Sequence, residues 1–155
     1  MISERKNTGV TALELLIILA ILIILSAVIL MPFGEFRDTN VLDAAADDIV
    51  SLLSEARRDT LLSRGASQYG VHFETNRMVY FKGTSFTEPD ANNKEVAFDS
   101  RVRLSDISLA GSGADVVFER LTGKTANGGT VTLEITNDSS RQIVITIEPT
   151  GVAGF

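Results

Sequence analysis

Gly9-Val10-Thr11-Ala12-Leu13-Glu14 opens the stretch on which the reading of this chain turns. Behind it, from Leu15 to Met31, Ser26 is the only polar residue. With Val10–Leu13 added in front, the run is long enough to span most of a bilayer as a helix, since about 20 apolar residues cover a hydrocarbon core of about 30 Å. One carboxylate, Glu14, lies inside its front end. A short polar leader, residues 1–9, precedes it and carries Arg5 and Lys6. Glu35, Arg37 and Asp38 follow the run, so the positive-inside bias places the N-terminus in the cytoplasm and the rest of the chain outside. The run ends in Leu30-Met31-Pro32-Phe33-Gly34, with no small-x-small cleavage pattern of an ordinary secretory signal.

The bulk composition narrows the function. The chain has 155 residues, enough for one modest domain plus an anchor. It has no cysteine, which removes disulfides, thiolate metal sites and a cysteine nucleophile. It has one histidine, His72, so a catalytic triad or a histidine metal site would rest on that residue alone. No cofactor and no enzymatic activity are expected. The net charge is -6, and the leader, with Glu4, Arg5 and Lys6, holds +1 of the opposite sign, so a chain starting at Val10 carries about -7. An acidic domain repels phosphate backbones, which disfavours nucleic acid as a general partner.

Glu14 needs a reason. A charged residue inside a membrane helix costs about 2.5–3.5 kcal/mol on insertion scales and marks a site with a partner, unless it reaches water at the interface. Gly9 followed by Val10-Thr11-Ala12-Leu13-Glu14-Leu15-Leu16-Ile17-Ile18 resembles the prepilin cleavage and methylation motif of type IV pilins and type II secretion pseudopilins. The resemblance implies that a prepilin peptidase cuts between Gly9 and Val10 and that Val10, where the family usually has phenylalanine or methionine, is N-methylated. It implies that Glu14 neutralises the terminal amine of a neighbouring subunit. The implied partners are other pilin or pseudopilin subunits, the peptidase, an inner-membrane assembly platform and, before assembly, membrane lipid. Physical chemistry agrees with that arrangement. An amine released at Val10 is a cation at the cytoplasmic edge of the bilayer, and a carboxylate one helical turn away on the next subunit offsets the desolvation of both. An uncut leader blocks that packing, so cleavage acts as the assembly switch.

Pro32 and Gly34 allow a bend where the chain leaves the membrane. A helix is then expected from Thr39 or Asn40 to about Ser63. Leu42, Ala45, Ile49, Leu52, Leu53, Ala56 and Thr60 recur at three- and four-residue steps, while Asp47, Asp48, Ser51, Glu55, Arg58 and Asp59 fall largely on other faces. One apolar stripe suits a helix packed on a sheet. A coiled coil would need heptads to persist, and they stop at Arg64-Gly65. After Gly65 the period changes. Tyr69, Val71 and Phe73, then Val79 and Phe81, alternate around the turn Glu74-Thr75-Asn76-Arg77 and predict a hairpin. Thr84–Asn93 reads as a loop. Glu95–Phe98, Val102–Ile107 and Asp115–Glu119 read as strands, with a turn at Gly111-Ser112-Gly113 and a loop over Gly123–Gly129. Thr130–Thr136 and Gln142–Glu148 form a second hairpin around Asn137-Asp138-Ser139-Ser140. Pro149–Phe155 is a tail that can add an edge strand.

The expected fold is therefore α+β: a long N-terminal helix, membrane half plus amphipathic half, packed on an antiparallel β-sheet domain of six or seven strands. The expected division is a leader over 1–9, a transmembrane or filament-core helix over 10–32, and an amphipathic helix with a β-rich domain over 33–155. Ser54-Glu55-Ala56-Arg57-Arg58-Asp59-Thr60-Leu61-Leu62-Ser63-Arg64-Gly65 and the closing Ile143–Gly151 resemble the GspH/FimT branch of minor pilins and pseudopilins.

Other candidate sites weigh less. His72 lies on the strand face opposite Val71 and Phe73. Asp47-Asp48 and the acids of Thr84–Glu95, with Asp90-Ala91-Asn92-Asn93 the best placed, lack calcium-loop spacing. Arg57, Arg58 and Arg64 are offset by Glu55 and Asp59. Gly123-Lys124-Thr125 lacks the first glycine of a phosphate loop. The expected function is a structural subunit of a type IV pilus or type II secretion pseudopilus. Two rival readings are a DNA-binding minor pilin, using Arg101, Arg103 and Arg120, and a membrane-anchored β domain that never assembles.

Overall fold

The computed structural model describes residues 11–30, 32–111 and 113–155. Gly9, Val10 and the leader lie outside the described residues, as does Ser112 of the glycine turn. The chain divides into two units between Arg37 and Asp38. The first contains helix α1 (Ala12–Leu30). Helix α2 (Pro32–Leu61) leads into the second unit, whose described residues form eight strands.

Residues 32–38, ahead of the start expected at Thr39 or Asn40, are already helical as part of α2, so Thr39 and Asn40 are interior residues of that helix. The apolar stripe is as expected: Leu42, Ala45, Ile49, Leu52, Leu53, Ala56 and Thr60 are all buried. The helix stops at Leu61, and Ser63 and Gly65 adopt left-handed backbone conformations that turn the chain toward the first strand.

The first sheet has the order β3-β2-β1-β5, formed by β1 (Tyr69–Glu74), β2 (Arg77–Lys82), β3 (Lys94–Ala97) and β5 (Asp115–Val117). The second has the order β4-β6-β7-β8, formed by β4 (Val102–Leu109), β6 (Gly129–Ile135), β7 (Asp138–Ile147) and β8 (Ala153–Gly154). All pairings are antiparallel. The first hairpin turns on Thr75-Asn76, with Glu74 opposite Arg77. The second is tighter than expected. Ile135 already pairs with Asp138 across a Thr136-Asn137 turn, and Ser139, Ser140 and Arg141 are bulged in β7 before Gln142 pairs with Glu134. The tail supplies the edge strand β8.

One core joins α2 to the inner faces of both sheets, through Val71, Phe73, Val116 and Phe118 on one side and Val131, Leu133, Ile145 and Ile147 on the other. Each such side chain contributes about 1.5–3 kcal/mol on burial. Strand β2 departs from the expected pattern. Its core-facing residues are Met78 and Tyr80, opposite Phe73 and Val71, whereas Val79 and Phe81 face the other way, opposite His72 and Gly70. They are buried too, 2% and 1% exposed, because the loop after β2 folds back over this outer face. Phe86 from that loop stacks on His72 at 4.0 Å and meets Phe81 edge-on at 5.8 Å. Gly70 makes the room: a Cβ there would lie 2.6 Å from the Phe81 ring. Phe86→Ala should uncover this face and cost about 1–2 kcal/mol of stability, read as a lower urea midpoint with an unchanged slope.

Candidate assembly interface

Thr11 fixes the start of α1. Its carbonyl accepts the first helical bond from Leu15 N at 3.1 Å, and its Oγ1 accepts from Glu14 N at 3.3 Å. Thr11 is therefore the N-cap and Glu14 the third helical residue, the spacing of a capping box. A carboxylate there is favoured by the unpaired N–H groups and positive dipole end of the helix. The described side chains of α1 are exposed on every side of the helix. From Leu13 to Leu25 the large apolar side chains are 47–71% exposed, and Ser26, which follows them, donates its hydroxyl to Leu22 O at 2.7 Å. A helix apolar all round has no face for water and needs an apolar environment. At 1.5 Å per residue the 19 residues of α1 extend about 28 Å. Its described side chains end at Ser26, and among the described residues no helix is long and apolar enough to cross a membrane.

The remaining candidates lie in the globular unit. His72 is where its strand position placed it, but with neighbours no short sequence pattern reveals. Its Nδ1 shares a 2.5 Å hydrogen bond with Asp115 Oδ1, its Nε2 is 3.7 Å from Glu74, and Asp115 Oδ2 accepts from Phe86 N at 3.3 Å. The group ties the covering loop to β1 and β5. Arg77 is a second anchor. It donates to Glu74 at 2.8 Å, to Glu88 at 2.9 Å and to Glu95 at 3.0 Å, and these bonds push its own pKa up. The Arg77 guanidinium in turn holds the Glu74 carboxyl below the usual carboxylate range. Among the described residues no cluster of three His, Cys, Asp or Glu side chains is placed to hold a metal ion. Asp90, the best-placed calcium candidate, spends Oδ1 on Asn92 N and Nδ2, both at 2.8 Å, and these bonds lower its pKa.

The arginines considered for nucleic acid are mostly engaged. Arg101 bonds Asp99 at 3.0 Å and reaches Asp38 at 3.5 Å, and Arg103 lies 2.6 Å from Glu134. Arg120 is exposed. Arg57 ties distant segments together. Its Nε donates to Gly123 O at 3.0 Å and its Nη2 to Thr150 O at 3.4 Å, pinning a loop and the tail to α2. Asp59 corrects the sequence reading outright. Its helical position predicts a solvated face, yet it is 4% exposed, with Oδ2 accepting from Tyr80 Oη at 2.9 Å and from Arg64 Nη1 at 3.3 Å. A carboxylate at the C-terminal end of a helix is disfavoured by the dipole, and these two donors offset that.

The family model described as Type II transport protein GspH matches residues 45–151. No curated protein matches the chain. Two solved structures resemble it, both of the minor pseudopilin EpsH from the type II secretion system of Vibrio cholerae. One has 13% identity and a TM-score of 0.53, covering 73% of this chain and 94% of that one. The other has 16% identity and a TM-score of 0.51, covering 74% and 92%. At these identities the likeness is one of fold.

Proposed function

We propose, from the premise that this chain belongs to the GspH family of type II transport proteins, that it is a structural pseudopilin subunit assembled into its filament after cleavage between Gly9 and Val10. The observation that carries this reading is α1: an apolar helix exposed on every described side, with one carboxylate, Glu14, in its first turn. Residues 1–9 are the leader, 10–32 the helix that sits in the cytoplasmic membrane and then in the filament core, and 33–155 the outward-facing part. The N-terminus starts in the cytoplasm and the globular unit outside it. A prepilin peptidase removes the leader, Val10 becomes the methylated N-terminus, and an inner-membrane platform passes the subunit from lipid into the filament. The chain supplies packing surfaces and no chemistry of its own. The engaged state of Arg101 and Arg103 speaks against the DNA-binding alternative.

Glu14 gives specificity to this packing. Inside a bundle of apolar helices its charge is costly unless a cation meets it, and the amine of Val10 on a neighbouring subunit is that cation. Two measurements test the reading. Co-expression with a prepilin peptidase should lower the intact mass by residues 1–9, and Gly9→Ala should abolish the loss; an unchanged mass for the parent chain in the presence of active peptidase sinks the proposal. Glu14→Ala should leave membrane insertion intact, since it removes a charge from an apolar run, while reducing recovery of the subunit in sheared filaments at least tenfold. Wild-type recovery of that variant removes the assigned role of the acid.

A further inference from the structure

Leu121 stands at the tip of a turn between β5 and β6. Its φ is +71°, a left-handed conformation that a Cβ disfavours, and its side chain is 84% exposed. The turn is firmly held all the same. Gly123 N donates to Glu119 O at 2.9 Å, Glu119 N to Lys124 O at 2.8 Å, and Thr122 Oγ1 to Glu119 Oε2 at 3.1 Å. Its base is tied to α2, where Arg57 Nε donates to Gly123 O. A strained residue fixed by its surroundings points to a use for what it presents. Here that is an aliphatic side chain flanked by the exposed cations Arg120 and Lys124. Glycine would suit the backbone better and present nothing.

The surface that fits this turn lies on the same chain, toward the other end of α2. A groove of about 280 Å³ is lined by Val41, Ala44, Ala45 and Phe98 and flanked by Asp48 and Asp99. A groove of that size takes a side chain rather than a strand or a helix. Asp99 is answered by Arg101 at 3.0 Å, whereas Asp48 is exposed on the helix one turn from Ala44. Charge divides the same way over a wider area. On residues 57–64 and 119–125, Arg57, Arg58, Arg64, Arg120 and Lys124 outnumber Asp59 and Glu119. On residues 38–48 and 97–101, Asp38, Asp43, Asp47, Asp48 and Asp99 outnumber Arg101. The turn sits at the Leu61 end, since a Cβ at Gly123 would lie 3.1 Å from Leu61 Cδ1. From Ala44 to Leu61 the helix runs about 25 Å, so the turn cannot reach the groove of its own copy.

We propose that the turn at Leu121 of one copy docks into the groove beside Ala44 of a second copy, with Leu121 against Val41 and Phe98 and the cations Arg120 and Lys124 facing Asp48. Apolar knob matches apolar groove, and the charges around the two are opposite in sign, which orients the encounter. Knob and groove are different patches, so the contact is head-to-tail. Each pair keeps a free knob at one end and a free groove at the other, and the contact continues from copy to copy. It uses neither the leader nor Glu14, so it can fail while the reading of α1 above stands.

The chain has no cysteine, so disulfide trapping tests this directly. Two full-length variants in detergent micelles, Arg120→Cys and Ala44→Cys, are mixed and mildly oxidised, and the dimers are sorted by mass. The mixed dimer should form about tenfold above the ratio of random pairing, because docking holds the two thiols together. Adding Leu121→Gly to the Arg120→Cys chain should return the ratio to random, with a urea midpoint no lower than that of the Arg120→Cys chain alone, since glycine accepts the backbone conformation. Adding Asp48→Lys to the Ala44→Cys chain should also remove the excess, and Lys124→Glu on the other chain should then restore it. A random ratio from the first mixture overturns the proposal, as does an excess that survives Leu121→Gly or a charge exchange that restores nothing. An excess of Arg120→Cys like dimers overturns it too and assigns the turn to a symmetric pairing of two turns.

Discussion

Gly151→Ala should destabilise the globular unit by about 3 kcal/mol or more, placing it among the most damaging single changes available outside the core. Two independent costs add there. Gly151 has φ +81°, a conformation that a Cβ penalises in any L-residue. The added Cβ would also lie 1.9 Å from Gly123 O and 2.9 Å from Arg57 Nε, so the backbone itself must move. Gly123 O is the acceptor for Arg57 Nε, and the neighbouring Thr150 O accepts from Arg57 Nη2. One methyl group therefore separates three segments, α2, the loop at Gly123 and the tail, that a single guanidinium holds together. Urea unfolding of the full chain in micelles should show a lower midpoint. Gly154→Ala is the matched control, because a Cβ there meets nothing within 4 Å, and it should stay within about 0.5 kcal/mol of the parent. Equal midpoints for the two variants would show that the clamp does not hold the tail.

The contrast between that clamp and α2 shows what a sequence can reveal. The stripe from Leu42 to Thr60 is legible because a helix buries one face and the 3.6-residue period records it. The hairpins are legible because short turn-forming clusters interrupt alternating runs. Met78-Val79-Tyr80-Phe81 is not, because both faces of β2 are covered and burial leaves no alternation to read. The start of α2 is not legible either: Thr39 and Asn40 are good cap residues, yet residues 32–38 before them are already helical. Arg57 and its two carbonyls are 66 and 93 residues apart in the chain, and no local pattern encodes such a meeting. Side chains divide the same way: Glu14 is conspicuous as the one acid in an apolar run, whereas the burial of Asp59 against Tyr80 emerges only from the fold.

Asp59→Ala should cost about 2–4 kcal/mol, and the loss should be largely shared with Tyr80. Removing the carboxylate leaves the Tyr80 hydroxyl buried without its acceptor and takes from Arg64 the partner at the end of α2. Tyr80→Phe removes the hydroxyl along with its need. The double variant should therefore be less destabilised than the sum of the singles, by about 1–2 kcal/mol, and strict additivity would rule out the coupling. A pH signature accompanies it. Burial, and then the hydrogen bond and charge of Asp59, push the Tyr80 phenol above its ordinary pKa of about 10. Above that pH the unfolded phenol ionises while the folded one keeps its proton. The contribution is complete below pH of about 10 and is lost as pH rises toward the folded value. The parent chain should accordingly lose stability in alkali more steeply than Tyr80→Phe, with ionisation followed by phenolate absorbance. Parallel alkaline profiles for the two would mean that the Tyr80 proton is not held by Asp59.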